Sequence, residues 1–170
     1  GLENLSCIPG SVGAAPVQNI GAYGAEAKDT IVSVRAYDVR QKCFVEFDRD
    51  ACDFAYRMSM FKRAGKGAFV ITRTSFKLTR VGVPDLAYKD LTERFVDTAP
   101  ETITPNDVRV AVCAIRARKL PDLAVLPNTG SFFKNPTISH VEFSRLQEHF
   151  PGIGGRETVD GVKLSAAQLI

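Results

Sequence analysis

No C-x-x-C pair occurs among Cys7, Cys43, Cys52 and Cys113, and the two histidines, His140 and His149, stand nine residues apart with no acidic partner pattern. No metal site is therefore readable, and the cysteines are expected to be buried, reduced thiols. No apolar run approaches the ~18 residues of a membrane-spanning helix, and no charged, apolar, small-residue leader opens the chain. The expected location is cytoplasmic, with no membrane partner. Runs of like charge are missing as well. The net charge of +3 is mild, and without an interleaved basic and aromatic stripe nucleic acid is not an expected partner, whereas a small anionic ligand suits the balance. Internal repeats and low-complexity tracts are absent.

What is present is apolar mass. With 170 residues and 45% hydrophobic content the chain can bury a substantial core, as one domain or two small lobes. Residues 1–27 carry Pro9, Gly10, Gly13, Pro16, Gly21 and Gly24, too dense a punctuation for a long regular element, and read as loop and short turns. From Thr30 the pattern turns to β: Ile31, Val32, Val34, Tyr37 and Val39, then Cys43, Phe44, Val45 and Phe47, around a polar Arg40-Gln41-Lys42 turn, predict a hairpin. Asp48 is placed to cap one helical turn through Cys52, and Ala68 to Leu78 reads as a strand.

Two helices follow. Thr104 as N-cap, Pro105 at the first position and Asp107 in the first turn open one that runs to Lys119, with Val108, Ala111, Val112 and Ile115 on its apolar face. The capping box Ser139-His140-Val141-Glu142 opens the other, which is expected to bury Phe143, Leu146 and Phe150 before Pro151. Between them, residues 121–129 hold two prolines and Asn128, a lobe boundary.

Read by spacing alone, the chemistry-bearing segments leave alternatives open. Pro9-Gly10-Ser11-Val12-Gly13 fits a turn cluster or a phosphate cradle, and it matches neither the G-x-G-x-x-G fingerprint nor a G-x-x-x-x-G-K-[ST] loop. Ala64-Gly65-Lys66-Gly67-Ala68 reads as a plain turn. Ser131, in Gly130-Ser131-Phe132-Phe133-Lys134-Asn135-Pro136, is a turn serine or a proton donor facing a partly apolar, water-poor site. Arg57, between Tyr56 and Ser59, is a snorkelling arginine or a fixed charge for a developing enolate. Arg116, Arg118 and Lys119 complement a helix C-terminus or meet a diphosphate.

The chain resembles the UDP-N-acetylenolpyruvoylglucosamine reductase family. The resemblance rests on the G-S-F-F-K-N-P string, Gly1-Leu2-Glu3-Asn4-Leu5, Ile8-Pro9-Gly10, Gln18-Asn19-Ile20-Gly21-Ala22-Tyr23-Gly24, Tyr56-Arg57, Lys119-Leu120-Pro121-Asp122 and Lys163-Leu164, and it runs in order through essentially the whole sequence. Ala87-Tyr88-Lys89-Asp90-Leu91 looks like the tyrosine loop of the family's first type, which closes over substrate. The fold this implies is α+β: a flavin-binding lobe of the vanillyl-alcohol-oxidase (PCMH-like) type, in part, over residues 1–119, then the beginning of a substrate-binding lobe over 120–170.

The implied reaction is reduction of UDP-N-acetylglucosamine enolpyruvate to UDP-N-acetylmuramate for peptidoglycan, with FAD as cofactor and NADPH as hydride donor. By matching positions, Ser131 is the proton donor and Arg57 stabilises the enolate-like intermediate. Ile8, Pro9, Gly10, Gly13, Gln18, Gly21 and Ile71 line the flavin, and Tyr88, Lys119 and Asn135 hold substrate. The family's Gly-Gly-Gly-Ser-Asn flavin-phosphate loop has no counterpart before Gly1, and its C-terminal catalytic glutamate none before Ile170. Both ends read as cuts through ordered structure, so weak or absent catalysis is expected of this chain alone. A catalytically inactive nucleotide- or UDP-sugar-binding fragment is the alternative. Met58 stands where an acidic residue often follows the arginine, and Gln168 where an aromatic residue is common. Neither histidine lies in a loop suited to covalent flavin attachment, which argues against an unrelated flavin oxidase.

Overall fold

Proline and glycine break the opening segment into two 3-10 turns, Glu3–Leu5 and Val12–Ala14. A two-residue ribbon follows, β1 (Gly21–Ala22) against β2 (Ala25–Glu26), then a third 3-10 turn, Ala27–Asp29. The computed structural model describes residues 1–170 except 81, 123, 128 and 129, so Asn128 of the expected boundary lies outside the described residues. The chain divides into two compact units, Gly1–Leu126 and Pro127–Ile170.

In the first unit the expected hairpin forms as β3 (Ile31–Asp38) and β4 (Cys43–Asp48), and β5 (Phe69–Phe76) pairs with the other edge of β3. All neighbours are antiparallel, in the order β4-β3-β5. The hairpin turn is set by Asp38, whose Oδ1 accepts from Arg40 N at 2.8 Å and Gln41 N at 2.9 Å. Ile31 and Val34 of β3 are buried in the core with Leu5, Ala27 and Phe61, and Ala36 is fully buried as well. Phe47, Phe61 and Phe69 interlock edge to face, with ring centroids 5.0–6.1 Å apart. The strand over 68–78 is shorter than expected and ends before Leu78, which is exposed. The single helical turn expected from Asp48 through Cys52 forms: Asp48 Oδ1 accepts from Ala51 N at 2.7 Å and Asp48 O accepts from Cys52 N at 3.2 Å, after which the chain leaves at Asp53 with φ +46.

Two helices complete this unit: α1 (Lys89–Arg94), which the sequence pattern did not single out, and α2 (Pro105–Lys119). The start of α2 is the expected one, with Thr104 Oγ1 accepting from Asp107 N and the Asp107 carboxylate accepting from Thr104 N. Its face of Val108, Ala111, Val112 and Ile115 is buried with Leu91 of α1 and Ile103. Each fully buried valine or isoleucine there is worth about 1.5–3 kcal/mol.

The second unit is a small antiparallel sheet, β6 (Thr137–Ile138), β7 (Gly155–Thr158) and β8 (Gly161–Leu164), ordered β6-β8-β7, with α3 (His140–His149) and the short α4 (Ala166–Leu169). Ile153, Val162 and Leu164 form its core, against which Ile138, Phe143 and Leu146 pack. Phe150 was expected in the core and is instead exposed, because α3 ends at His149 and the chain turns away at φ −133.

The cysteines depart from expectation too. Only Cys52 is buried; Cys7 and Cys43 are exposed and Cys113 is half-buried. A turn carries Cys7 and a hairpin end carries Cys43 to the surface.

Candidate functional site

A cavity of about 310 Å³ opens beside the first two turns, lined by Leu2, Leu5, Ile8, Pro9, Gly10 and Gln18 among others. That volume lies at the lower end of ligand sites, ~300–1,000 Å³, and suits a flat ring system rather than a whole dinucleotide. Its walls are mostly apolar, and Gln18 supplies an amide. Gly10 stands at φ +115, a conformation that a side chain would strain, so the rim needs glycine here. Gly13 lies in the turn Val12–Ala14, which packs on β5 where Ile71 sits; a Cβ at Gly13 would stand 3.6 Å from the Ile71 carbonyl oxygen. Four of the seven expected flavin contacts, Ile8, Pro9, Gly10 and Gln18, thus share one cavity wall.

Arg57 sits on a tight turn closed at both ends by reciprocal backbone bonds, Ala55 N to Met58 O and Met58 N to Ala55 O, each 3.0 Å. It takes a left-handed conformation, φ +54, rare for a side-chain-bearing residue. Rather than lying free on the surface, its half-buried guanidinium donates to the carbonyl of Gly21 and stacks on Tyr56, 5.2 Å from the ring centroid.

Buried polar residues hold this turn. Asn19, fully buried, donates from Nδ2 to Ala55 O at 3.1 Å and to Glu26 Oε2 at 3.0 Å, and its Oδ1 accepts from Lys28 N at 2.9 Å. Ser59, also fully buried, donates to Val17 O at 2.6 Å and accepts from Phe61 N at 3.2 Å. The opening segment and the arginine turn are therefore one hydrogen-bonded body. Sequence reasoning missed these two as scaffolding, since neither carries a periodic or spacing signal.

Tyr88 and Lys119, far apart in sequence, meet in the first unit. Lys119 Nζ donates to Asp90 Oδ1 at 2.5 Å, and Tyr88 packs edge to face on Tyr23 with centroids 5.1 Å apart. The hydrogen bond to Asp90 raises the Lys119 pKa, so the ammonium persists at neutral pH. Burial raises the Tyr23 hydroxyl as well, opposed by Arg116 and Lys119 and reinforced by Asp90 and Tyr88. The group presents two phenols and two cations around one carboxylate. Asn4 fixes its position, donating to Tyr23 O at 2.8 Å and Asp85 O at 2.9 Å.

In the second unit Ser131 is exposed, and Phe132 and Phe133 stack on each other at 5.1 Å with both rings largely in solvent. The loop's own phenylalanines pack against each other, and the Ser131 hydroxyl is exposed. Asn135 is half-buried, its Oδ1 accepting from Ala166 N at 2.9 Å, which ties the loop to the start of α4. Among the described residues no cluster of three or more His, Cys, Asp or Glu is gathered, and no helix is long and apolar enough to cross a membrane.

No protein-family model matches the chain. The UDP-N-acetylenolpyruvoylglucosamine reductase of Neisseria meningitidis serogroup C (strain 053442) is 51% identical over 172 residues, covering 100% of this chain and 50% of that protein. Other curated relatives, at 44–51% identity over the whole chain, carry the same name. The chain spans about half the length of the curated relatives it matches. The reductase of Dechloromonas aromatica (strain RCB) is 44% identical over 174 residues, 100% of this chain and 52% of that protein. That of Pseudomonas aeruginosa is 47% identical over 171 residues, with 100% and 50% covered. The crystal structure of the UDP-N-acetylenolpyruvylglucosamine reductase from Thermus caldophilus matches with a TM-score of 0.54 at 20% identity, over 97% of this chain and 53% of that one. The expected α+β class is borne out by this likeness. The Arg57 turn and the cavity wall lie within the first unit, Ser131 and Asn135 within the second.

Proposed function

We propose that the chain is part of an NADPH-dependent, FAD-containing reductase that converts UDP-N-acetylglucosamine enolpyruvate to UDP-N-acetylmuramate in the cytoplasm. The observation that carries this is the 51% identity along the full chain to a protein named for that reduction. Bound FAD supplies the hydride relay between NADPH and the enolpyruvyl double bond.

The cavity supports the reading because its walls suit a flat ring, with Ile8, Pro9 and Gly10 excluding water and the Gln18 amide orienting polar edges. Gly13 and Ile71 back the same turn, and Gly21 meets Arg57. Residues 1–119 belong to the flavin-binding lobe and 120–170 to the start of the substrate-binding lobe. Arg57, held rigidly by its turn, stabilises negative charge on the enolate formed from substrate; a preorganised cation costs no reorganisation at the moment of reaction. Ser131 delivers the proton that completes reduction. Tyr88, Lys119 and Asn135 position the UDP-sugar, with the Lys119 ammonium on the diphosphate.

For the 170-residue chain alone, the half-length coverage favours a second reading, a nucleotide- or UDP-sugar-binding module without turnover. Titration with FAD, followed by visible absorbance and flavin fluorescence, and then NADPH consumption with the enolpyruvyl sugar, separates the two. Stoichiometric flavin with turnover establishes the reductase. Binding of flavin or UDP-sugar without turnover establishes the module, and binding of neither removes both.

A further inference from the structure

Cys7 and Cys113 lie 106 residues apart in sequence, yet their Sγ atoms are 2.7 Å apart. The covalent sulfur–sulfur distance is about 2.05 Å, so closure requires the two atoms to approach by only about 0.65 Å. The backbone prepares this contact. Ser6 Oγ donates to Glu3 O at 2.7 Å and ends the first turn, after which Cys7 takes φ +60, rare for a residue with a Cβ, beside α2. The turn Glu3–Leu5 packs along α2, which carries Cys113.

We propose that Cys7 and Cys113 are a redox couple that closes reversibly to a disulfide. Cys7 is exposed and reacts first; Cys113, half-buried, resolves. The Cys7 thiolate attacks a low-molecular-weight disulfide, releasing one thiolate and leaving a mixed disulfide on Cys7. Cys113 Sγ then attacks the Cys7 sulfur and expels the second thiolate. Two cysteine thiols are oxidised, one reagent disulfide is reduced to two thiols, and the two cysteine protons pass to them.

The Cys113 thiol pKa is raised, first by its hydrogen bond with Cys7 and then by burial, which agrees with the resolving role. The other thiols are set apart. Cys52 is buried and pushed up to about 11 by burial and by Asp48, so it stays protonated. Cys43 has Gln41 Oε1 at 4.0 Å beside it. Closure pins residue 7, next to Ile8-Pro9-Gly10 on the cavity rim, to α2, and so couples thiol redox state to the mobility of that wall. This holds whether or not the reductase reading does.

The test incubates the 170-residue protein across glutathione buffers from fully reduced to fully oxidised, alkylates it under denaturing conditions, and reads intact mass and peptide map. The expected result is loss of two of the four thiols, an alkylated mass lower by two alkyl groups and about 2 Da, a linked peptide pair containing Cys7 and Cys113, full reversal by dithiothreitol, and an upward shift of the unfolding temperature in the oxidised form. Cys7→Ser should retain three thiols, Cys113→Ser should trap the glutathione adduct on Cys7, and Cys43→Ser should still form the link. Four free thiols throughout, a glutathione adduct that stops on Cys7, or a link through Cys43 or Cys52 in the wild-type protein overturns the proposal. The wild-type map decides even where a serine variant folds poorly.

Discussion

The guanidinium of Arg57 and the carbonyl of Gly21 are hydrogen-bonded so closely that a Cβ at Gly21 would stand 2.7 Å from Arg57 Nη1. Glycine is what lets the cation settle against β1. Gly21→Ala should therefore displace the guanidinium and cost about 1–3 kcal/mol as overpacking. In an Arg57→Ala background the same change should cost measurably less. Denaturant midpoints for the four proteins give the coupling, and strictly additive costs would sever the relationship.

Asn19 joins β2, the turn Ala27–Asp29 and the arginine turn by three side-chain bonds while fully buried. Asn19→Ala leaves the Ala55 carbonyl and the Lys28 N–H without those partners, and a loss of about 2–4 kcal/mol is expected. Amide hydrogen exchange should rise at Lys28 in particular; protection there equal to the wild type would contradict the network.

The α2 capping box has a pH signature. Hydrogen bonds from Thr104 hold the Asp107 carboxyl below its ordinary pKa. A depressed folded-state pKa means the unfolded chain takes up the proton first. The contribution is thus fully present above the ordinary carboxylate range and is lost as pH falls through the lowered value. Thr104→Ala should flatten this acid limb, and it should lower stability at neutral pH by about 1 kcal/mol. Unfolding midpoints between pH 2 and pH 7 for the two proteins check both effects.

Ser131→Ala in the whole reductase should leave flavin reduction by NADPH intact and slow substrate reduction by roughly 10²–10⁴-fold, the range of a positioned proton donor. Stopped-flow records of the two half-reactions separate these steps. Equal loss in both would assign Ser131 to structure instead.

Lys119→Ala should chiefly weaken UDP-sugar binding, by roughly ten- to a hundredfold for a lost charge-assisted bond, with flavin affinity untouched. Isothermal titration with the UDP-sugar reads it, and an unchanged Kd removes Lys119 from the diphosphate site.

Local chemistry made much of the fold legible. The α2 helix was readable from Thr104-Pro105 and its 3.6-residue apolar stripe, and the β3–β4 hairpin from β-branched and aromatic residues around a polar turn, because both signals act over a few neighbouring residues. The short elements α1, β6, β7 and β8 were not. Their burial comes from partners distant in sequence, as when Leu91 packs under α2 and Val162 under α3. Phe150 and Leu78 failed for the reciprocal reason: an apolar side chain is buried only where a second layer exists to cover it.

The site divides along the same line. Residue identity alone determined the family resemblance and the list of chemically capable groups, since a hydroxyl, a cation or an amide is a property of the side chain. Only the tertiary structure decided which of them meet. It brought Ile8, Pro9, Gly10 and Gln18 to one wall and Arg57 onto Gly21. It drew Lys119 onto Asp90, and it set Cys7 against Cys113. Such meetings depend on long-range packing and buried hydrogen bonds, centred here on Asn19, Ser59 and Asn4, and these have no period or spacing along the chain from which they could be read.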